Sequence, residues 1–262
     1  MTVRRASAVL ALAAVALAGA PPARAQVALQ YEGTARGGDG AFAYRETHYL
    51  ERAGDGSGER LVLYRCADGR AFARKLVRYG AGSLAPDFAL EDARTGYREG
   101  VRTRDDAREV YVRAGEAARE RRKVLPRVAG LVADAGFDDF VARHWDALAA
   151  GRAVRVPFLV PAELDSFAFK VRRTRTLQLD GQAAVVLRLS LGAWYGLFLP
   201  HIDATYTVAD RTLRSYEGLS NIRDLKLENV VVRIEFAPAS RKPLDPGARE
   251  QARTGALVRS CD

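Results

Sequence analysis

The sequence predicts a mainly β protein in which antiparallel strands form a sheet that packs against one amphipathic helix. The first observation is a period-two alternation of apolar and polar residues, broken by glycine and aspartate turns, from residue 26 onward. The second is a single stretch of helical periodicity at 136–150, and the third is the return of alternation after it. A lone amphipathic helix needs a surface on which to bury its apolar face, and the sheet provides one.

Residues 1–25 have the three parts of a secretory signal. A basic start is followed by an apolar run at 8–18, and the small-residue site Ala23-Arg24-Ala25 precedes Gln26. The run is shorter than the roughly 20 residues that cross a bilayer, and no comparable run follows it. We therefore expect cleavage near Ala25 and Gln26, and a soluble periplasmic or secreted chain without a transmembrane segment.

The charge of the chain is modest once the signal is removed. The signal carries three of the 41 basic residues and none of the 32 acidic ones, so the net charge falls from +9 to 38 − 32 = +6. The arginines are scattered and alternate with apolar residues, as at 170–175, which is typical of solvated strand faces. No nucleic-acid recognition motif accompanies them, so we expect no nucleic-acid partner.

Two cysteines, Cys66 and Cys261, remain in a chain that is predicted to meet an oxidising environment. We predict a disulfide that ties the C-terminal tail to an early strand, worth about 4 to 5 kcal/mol in the chain-entropy model. The alternative is two separate thiols. Neither cysteine has the paired spacing of zinc ligands, so no metal site is expected.

Strands of the first half are predicted in pairs. The turn at 37–40 contains three glycines and one aspartate, and Asp68-Gly69 is the strongest short hairpin signal because both positions tolerate positive φ. The segment at 119–125 is charged enough to be strand, helix or loop. The strands predicted here are 27–31, 42–50, 61–66, 72–79, 88–92, 97–102 and 109–113.

One helix is predicted from about Gly136 to Ala150, with Asp134 as its N-cap and Gly151 as its C-terminal stop. A histidine on the apolar face, at position 144, is interpreted as a core residue. The apolar residues that recur at steps of three and four, and so share this face, are Phe137, Phe140, Val141, His144 and Leu148.

Strands resume after the helix, and Asp180-Gly181 predicts a further hairpin. Prolines at 238, 243 and 246 break any ladder, so 238–262 is predicted to be an irregular tail with about one helical turn. Residues 26–237 then form a single domain. The strands predicted in this half are 167–179, 185–191, 202–208, 213–218 and 229–236.

The segment Tyr206-Thr207-Val208-Ala209-Asp210-Arg211-Thr212-Leu213-Arg214-Ser215-Tyr216-Glu217-Gly218 is similar to a strand-turn-strand signature of the half-barrel superfamily of periplasmic lipoprotein carriers and related exported proteins of unknown function. The order of elements also resembles that superfamily. The resemblance implies a curved antiparallel sheet, or half-barrel, wrapped around the helix. It also implies an apolar hollow that shields an acyl chain or similar ligand, with no catalytic residues and no cofactor.

Two apolar segments are candidates for the ligand site. The run at 191–200 is interrupted by glycines, and it marks a ligand mouth or partner site if exposed, or a strand end in the core if buried. The segment at 156–161 has the same two interpretations, and its two prolines suit an edge strand or lip. The residues predicted to contact an apolar or lipid-like ligand are Phe137, Phe140, Val141, Trp194, Tyr195, Leu197 and Phe198.

Two other functions are weighed against ligand binding. In one, the protein is an envelope structural or interaction protein that docks a partner through 194–199, and the space between helix and sheet is packed solid. In the other, it is a hydrolase, because His201 and Asp203 point the same way on a strand, as a base and its orienter would. No nucleophile elbow, phosphate loop or metalloprotease motif is present, so we expect a protein that is not an enzyme.

Overall fold

The chain is built around one large sheet. A computed structural model describes residues 26–82, 84–105, 107–191 and 201–262. Within these ranges the strands, numbered in chain order, are β1 Val27–Arg36, β2 Phe42–Arg52, β3 Gly58–Arg65, β4 Ala71–Tyr79, β5 Asp87–Asp92, β6 Tyr97–Arg104, β7 Ala107–Arg113, β8 Arg121–Leu125, β9 Val154–Val160, β10 Asp165–Leu179, β11 Gln182–Leu191, β12 Ile202–Thr207, β13 Leu213–Arg223, β14 Asn229–Glu235 and β15 Lys242–Pro243. The helices are α1 Gly136–Arg143, α2 Trp145–Ala149 and α3 Pro246–Thr254.

The sheet runs in space from β8 back to β1, crosses to β14, and continues back to β9. Every neighbouring pair along this path is antiparallel, and consecutive strands are hairpin neighbours except at the join of β1 with β14. The sheet is curved and not closed. The predicted fold class, mainly β with a half-barrel around a helix, is confirmed.

The hairpin between β10 and β11 shows how local sequence sets this register. Asp180 and Gly181 both have positive φ, at 50° and 76°, which is the geometry of a two-residue primed turn. The turn places Leu179 opposite Gln182, and the pairing continues away from the turn, past Leu177, along both strands. The charged segment that the sequence left open, 119–125, contains the edge strand β8.

The interior beside the helices is close-packed. Phe140, Val141 and Leu148 are at most 2% exposed and pack in one cluster with Val171 of β10 and Leu187 of β11, which are fully buried. Their periodicity on the helix and the alternation on the strands bring apolar faces together. The helices therefore fill one part of the inner face of the sheet.

The predicted single helix is wrong in two details. It breaks at His144, whose φ of −105° and ψ of 13° are not helical, and the break brings Trp145 into the core at 5% exposure. Asp134 is not the N-cap, because its carboxylate is held by Lys75 of β4 at 2.9 Å, and Ala135 takes that position without a side-chain cap. Gly136 begins α1, where a Cβ would overlap the carbonyl of Leu84.

The C-terminal segment has more structure than the predicted irregular tail. The strand β15 pairs with β1, and α3 is a helix of nine residues. Asp245 is its N-cap and accepts hydrogen bonds from the backbone N–H groups of Gly247 and Ala248, with Pro246 in the first turn. The helix is stable here because Ala252 is buried in a small apolar cluster with residues of β2 and β3.

The tail is also covalently attached. Cys66 and Cys261 form a disulfide with their Cα atoms 5.4 Å apart, joining the turn after β3 to the chain end. In the part of the chain that the structure describes, no helix is both long and apolar enough to traverse a bilayer.

Candidate functional site

A cavity of about 510 Å³ lies inside the curved sheet, next to the start of α1. Most of its wall comes from strands on opposite arms of the sheet, and the helix contributes one side chain, Phe137. The lining residues are Phe88, Tyr97, Glu99, Asp134, Phe137, Phe158, Leu159, Val160, Pro161, Ala162, Glu163, Phe167, Phe169, Leu189, Leu191, Ile202, Tyr216, Leu219, Ser220, Asn221, Arg223 and Asn229.

One wall of the cavity is aromatic. The ring of Phe158 meets Phe137 and Phe169 edge to face, with centroids 6.3 and 5.8 Å apart. The pairing of β9 with β10 sets Phe158 directly opposite Phe167, and the two-residue period places Phe167 and Phe169 on the same face. Phe167 is 40% exposed, so this wall reaches the surface. The arrangement offers an apolar surface that no other described element covers completely.

The cavity floor is polar and carries two carboxylates. Glu99, 5% exposed on β6, accepts hydrogen bonds from the Tyr97 hydroxyl at 2.7 Å and from Asn221 Nδ2 at 3.1 Å. Asn221 Nδ2 also lies 3.4 Å from Asp134 Oδ1. Burial raises the pKa of Glu99, because the ionised form loses its hydration. Burial therefore disfavours the charged form of Glu99, whereas the neighbouring Asp134 carboxylate is paired with a cation.

The pairing partner is Lys75, which lies behind the floor. Its Nζ donates to Asp134 Oδ1 at 2.9 Å, and the two side chains are 11% and 8% exposed. Burial opposes the charge of Lys75, but the Asp134 carboxylate outweighs it and the pKa of Lys75 is raised. Among the residues described, the other oxygen, Asp134 Oδ2, is buried without a hydrogen-bond partner.

The predicted ligand-binding residues separate into three groups. Phe137 lines the cavity. Phe140 and Val141 do not line it, because they pack in the core between helices and sheet. The remaining four, Trp194, Tyr195, Leu197 and Phe198, lie outside the described residues. Leu191 and Ile202, which flank that segment, both line the cavity.

Several residues of the cavity were not named by the sequence analysis as ligand contacts. Phe158 could have been predicted, because it lies in the two-proline segment interpreted as an edge strand or lip. Phe167 and Phe169 were already placed on one strand face. Glu99 and Asn221 gave no signal, because single polar residues in alternating strands are ordinary. Only the curvature of the sheet brings them to one floor.

The predicted histidine–aspartate pair does not form a catalytic dyad. Asp203 accepts two hydrogen bonds from Arg188, both at 2.7 Å, so its carboxylate is already occupied. His201 Nε2 lies 4.0 Å from Asp203 Oδ2, beyond hydrogen-bond distance, and the imidazole is 45% exposed. In the described ranges, no group of three or more potential ligands is arranged to hold a metal ion.

A second depression, of about 630 Å³, is lined by residues around β7, β8 and the loop that follows them. Its wall carries the side chains of Arg108, Arg127 and Arg143. It lacks the aromatic wall of the first cavity. We therefore take the cavity between α1 and the sheet as the candidate site.

Comparison with solved structures supports the fold. A β-barrel-like protein of the domain of unknown function DUF1849 from Brucella abortus aligns with a TM-score of 0.52 and 9% identity, over 84% of this chain and 98% of that chain. This likeness confirms the predicted fold. It shows the fold alone, because the identity is so low.

Two further structures align more weakly. A putative outer membrane lipoprotein-sorting protein domain from Vibrio parahaemolyticus has a TM-score of 0.32 and 8% identity, over 86% of this chain and 88% of that chain. A DUF1329 family protein from Desulfovibrio piger has a TM-score of 0.31 and 10% identity, over 90% and 92%. No family model matches the sequence, and no curated protein matches it significantly.

Proposed function

We propose that this is an exported protein that binds or carries a lipid-like or other apolar ligand in the cavity between α1 and the curved sheet. The observation that carries the proposal is the aromatic wall of Phe137, Phe158 and Phe169, which opens to the surface at Phe167. A volume of about 510 Å³ is within the range of small-molecule sites, about 300 to 1,000 Å³.

Export is part of the same proposal. The signal-like segment at 1–25 directs the chain out of the cytoplasm, and the Cys66–Cys261 disulfide is a bond that oxidising compartments maintain. An apolar ligand that crosses an aqueous compartment needs shielding from water, since exposure of its surface costs about 25 cal/mol per Å². A cavity with an aromatic wall supplies that shield.

The alternative of a protein that docks an envelope partner receives less support. It requires a solidly packed interior, whereas a cavity of about 510 Å³ lies next to the start of α1. The segment that would dock the partner, 194–199, lies outside the described residues. The docking role therefore stays a prediction from the sequence.

Native mass spectrometry of the full chain, expressed with its N-terminal segment and recovered from the exported fraction, tests the proposal. We expect a co-purifying apolar molecule that organic extraction removes. Failure to find such a mass, together with failure of the extracted protein to bind the apolar dye N-phenyl-1-naphthylamine, would overturn the proposal.

A matched pair of variants locates the site. Phe167→Ser on the cavity rim should weaken dye binding about fivefold, because part of the apolar contact area is lost. Phe42→Ser is the control, since Phe42 is 37% exposed against 40% for Phe167 and does not line the cavity. Equal losses in both variants would place the dye elsewhere.

A further inference from the structure

Glu99 and Asp134 leave hydrogen-bond acceptor capacity on the polar floor of the cavity. The Tyr97 hydroxyl and the Asn221 amide donate to Glu99, and Asn221 also reaches Asp134 Oδ1. The Tyr216 hydroxyl donates to the carbonyl of Leu219. Each oxygen of Glu99 accepts only one of these bonds, and a carboxylate oxygen has capacity for more. The donors of Tyr97, Asn221 and Tyr216 are therefore engaged within the protein.

Asp134 gives the floor its clearest unsatisfied acceptor. Its side chain is 8% exposed and lines the cavity, and its Oδ2 atom is buried without a hydrogen-bond partner in the described part of the chain. A buried carboxylate oxygen without a partner is unfavourable, because it has lost water and gained nothing in return. A donor that enters the cavity would satisfy it.

Arg223, a cation in the cavity wall, is directed elsewhere. Arg223 donates to the carbonyl of Leu227 at 3.1 Å and to the Tyr97 hydroxyl at 3.3 Å. Its guanidinium also lies over the Tyr97 ring, 4.6 Å from the centroid. Lys75 is already paired with Asp134, so an anionic head on the floor would approach the Asp134 carboxylate without a free cation among the described lining residues, which like-charge repulsion disfavours.

We propose that the ligand is an amphiphile whose head donates hydrogen bonds and has no negative charge, namely an ammonium or a hydroxyl group. The head donates to Asp134 Oδ2 on the floor, and the apolar body lies along Phe137, Phe158 and Phe169. This proposal rests on the proposed function and deepens it, because it names the chemistry of the head.

The overall charge of the chain would by itself favour an anionic ligand over the proposed head groups. Without residues 1–25 the formal net charge is 38 − 32 = +6, so the protein attracts anions at long range. A preference for a cationic or neutral head over an anionic one would therefore arise locally, against the field of the protein.

Three ten-carbon amphiphiles test the head group: decylamine, decanol and decanoate, each below its aggregation concentration. Each competes with N-phenyl-1-naphthylamine for the purified full chain at pH 8, where the amine is cationic and the acid anionic. We expect decylamine and decanol to displace the dye at concentrations about tenfold lower than decanoate. A lower value for decylamine than for decanol identifies an ammonium head, and equal values identify a hydroxyl donor.

Two outcomes overturn the proposal in distinguishable ways. Displacement by decanoate at the same or lower concentration than decylamine overturns the head assignment and leaves the apolar site in place. If the dye does not bind and none of the three amphiphiles binds by calorimetry, the proposed function fails, and this proposal fails with it.

Variants then assign the effect to the floor. Asp134→Asn turns the open acceptor position into one that can donate, so the tenfold preference for decylamine over decanoate should disappear. Asp139→Asn is the control, because Asp139 is a nearby carboxylate on α1 that pairs with Arg52 at 3.0 Å and does not line the cavity. Equal changes in both variants would mean a global charge effect and would overturn the assignment.

Asp134→Asn also removes the partner of Lys75, so it is checked for folding by circular dichroism. If it does not fold, Glu99→Gln serves instead, since Glu99 has no ion-pair partner within 4.0 Å among the described residues. This variant should reduce the preference for decylamine about threefold. An unchanged preference in a folded Glu99→Gln protein would overturn the role of the floor.

Discussion

Two stretches of the same inner face, both on β10 and β11, have different coverings. At Val171 and Leu187 the strands are fully buried under the helices α1 and α2. A few residues along the same strands, Phe169 and Leu191 are partly buried and line the cavity. Both stretches are apolar and alternate with the same period, so the strands themselves do not distinguish them.

The difference is whether a helix covers the stretch. The helices α1 and α2 have eight and five residues, so they are too short to cover the whole inner face of a sheet that contains a fifteen-residue strand. The covered stretch contributes to stability through close packing. The open stretch retains apolar surface that a ligand can bury, which is why we place the function there.

The largest predicted effect concerns the disulfide, which lies in neither stretch. Replacing both Cys66 and Cys261 by serine should lower the free energy of unfolding by about 5 kcal/mol, because the disulfide closes a loop of 195 residues. Chemical denaturation measures this loss. Dye binding by the folded fraction should not change, and a parallel loss of affinity would mean that the cavity depends on overall stability.

A smaller effect should separate the two stretches directly. Leu148→Ala in the covered stretch should cost about 3 kcal/mol of stability and leave dye binding unchanged, since Leu148 is fully buried and does not line the cavity. Phe169→Ala in the open stretch should cost about 1 to 2 kcal/mol but weaken dye binding about tenfold. The two variants serve as controls for each other. The distinction between the two stretches would be wrong if both variants changed the affinity for the dye, or if both changed only the stability.

The smallest predicted effect on stability concerns the buried polar side chains of β1 and β2. His48 stacks on Tyr31, with ring centroids 4.5 Å apart, and its Nε2 lies 2.8 Å from Glu46 Oε2. Burial lowers the pKa of His48, and the nearby charges of Arg60 and Lys75 add to this, while Glu46 opposes it. The folded state therefore resists protonation of this ring.

Acid should consequently weaken the fold before it affects the cavity. Because the pKa of His48 is lower in the folded chain than its ordinary 6.5, the unfolded chain binds the proton more readily, and stability falls as the pH falls below about 6.5. The slope is at most about 1.4 kcal/mol per pH unit. Burial raises the pKa of Glu99, which gives the opposite slope above its ordinary 4.5.

Unfolding of the wild type and of His48→Gln, measured between pH 7 and pH 5, isolates the histidine. We expect the variant to lose most of the decline on acidification. An equally steep decline in the variant would assign the acid sensitivity to other groups.

The sequence predicted the strands well because their signals are local. The Asp180-Gly181 pair sets a hairpin by its own backbone preference, and alternation marks the strands on either side. The break at His144 could not be predicted in this way, because the helical periodicity continues across it. The nine-residue α3 did have a signal, Asp245 followed by Pro246, but the prolines nearby were interpreted as breaking any strand ladder, and only about one helical turn was predicted.

The site was harder to predict than the fold, because it depends on contacts between distant residues. Asn221 meets Glu99 and Asp134 across separations of 122 and 87 positions. Asp134 was interpreted as a helix cap from its local position, whereas the buried charge of Lys75 determines where its carboxylate lies. Local patterns report neither the curvature of the sheet nor such long-range pairings.

The join of β1 with β14 also bears on how the protein folds. Thr34 pairs with Glu235, about 200 residues later, whereas the other neighbours along the main sheet are adjacent in the chain. Closing so distant a contact is slow, because chain entropy is lost before the contact can stabilise it. The complete sheet can therefore form only after residue 235 has been synthesised, and until then β1 lacks its partner β14.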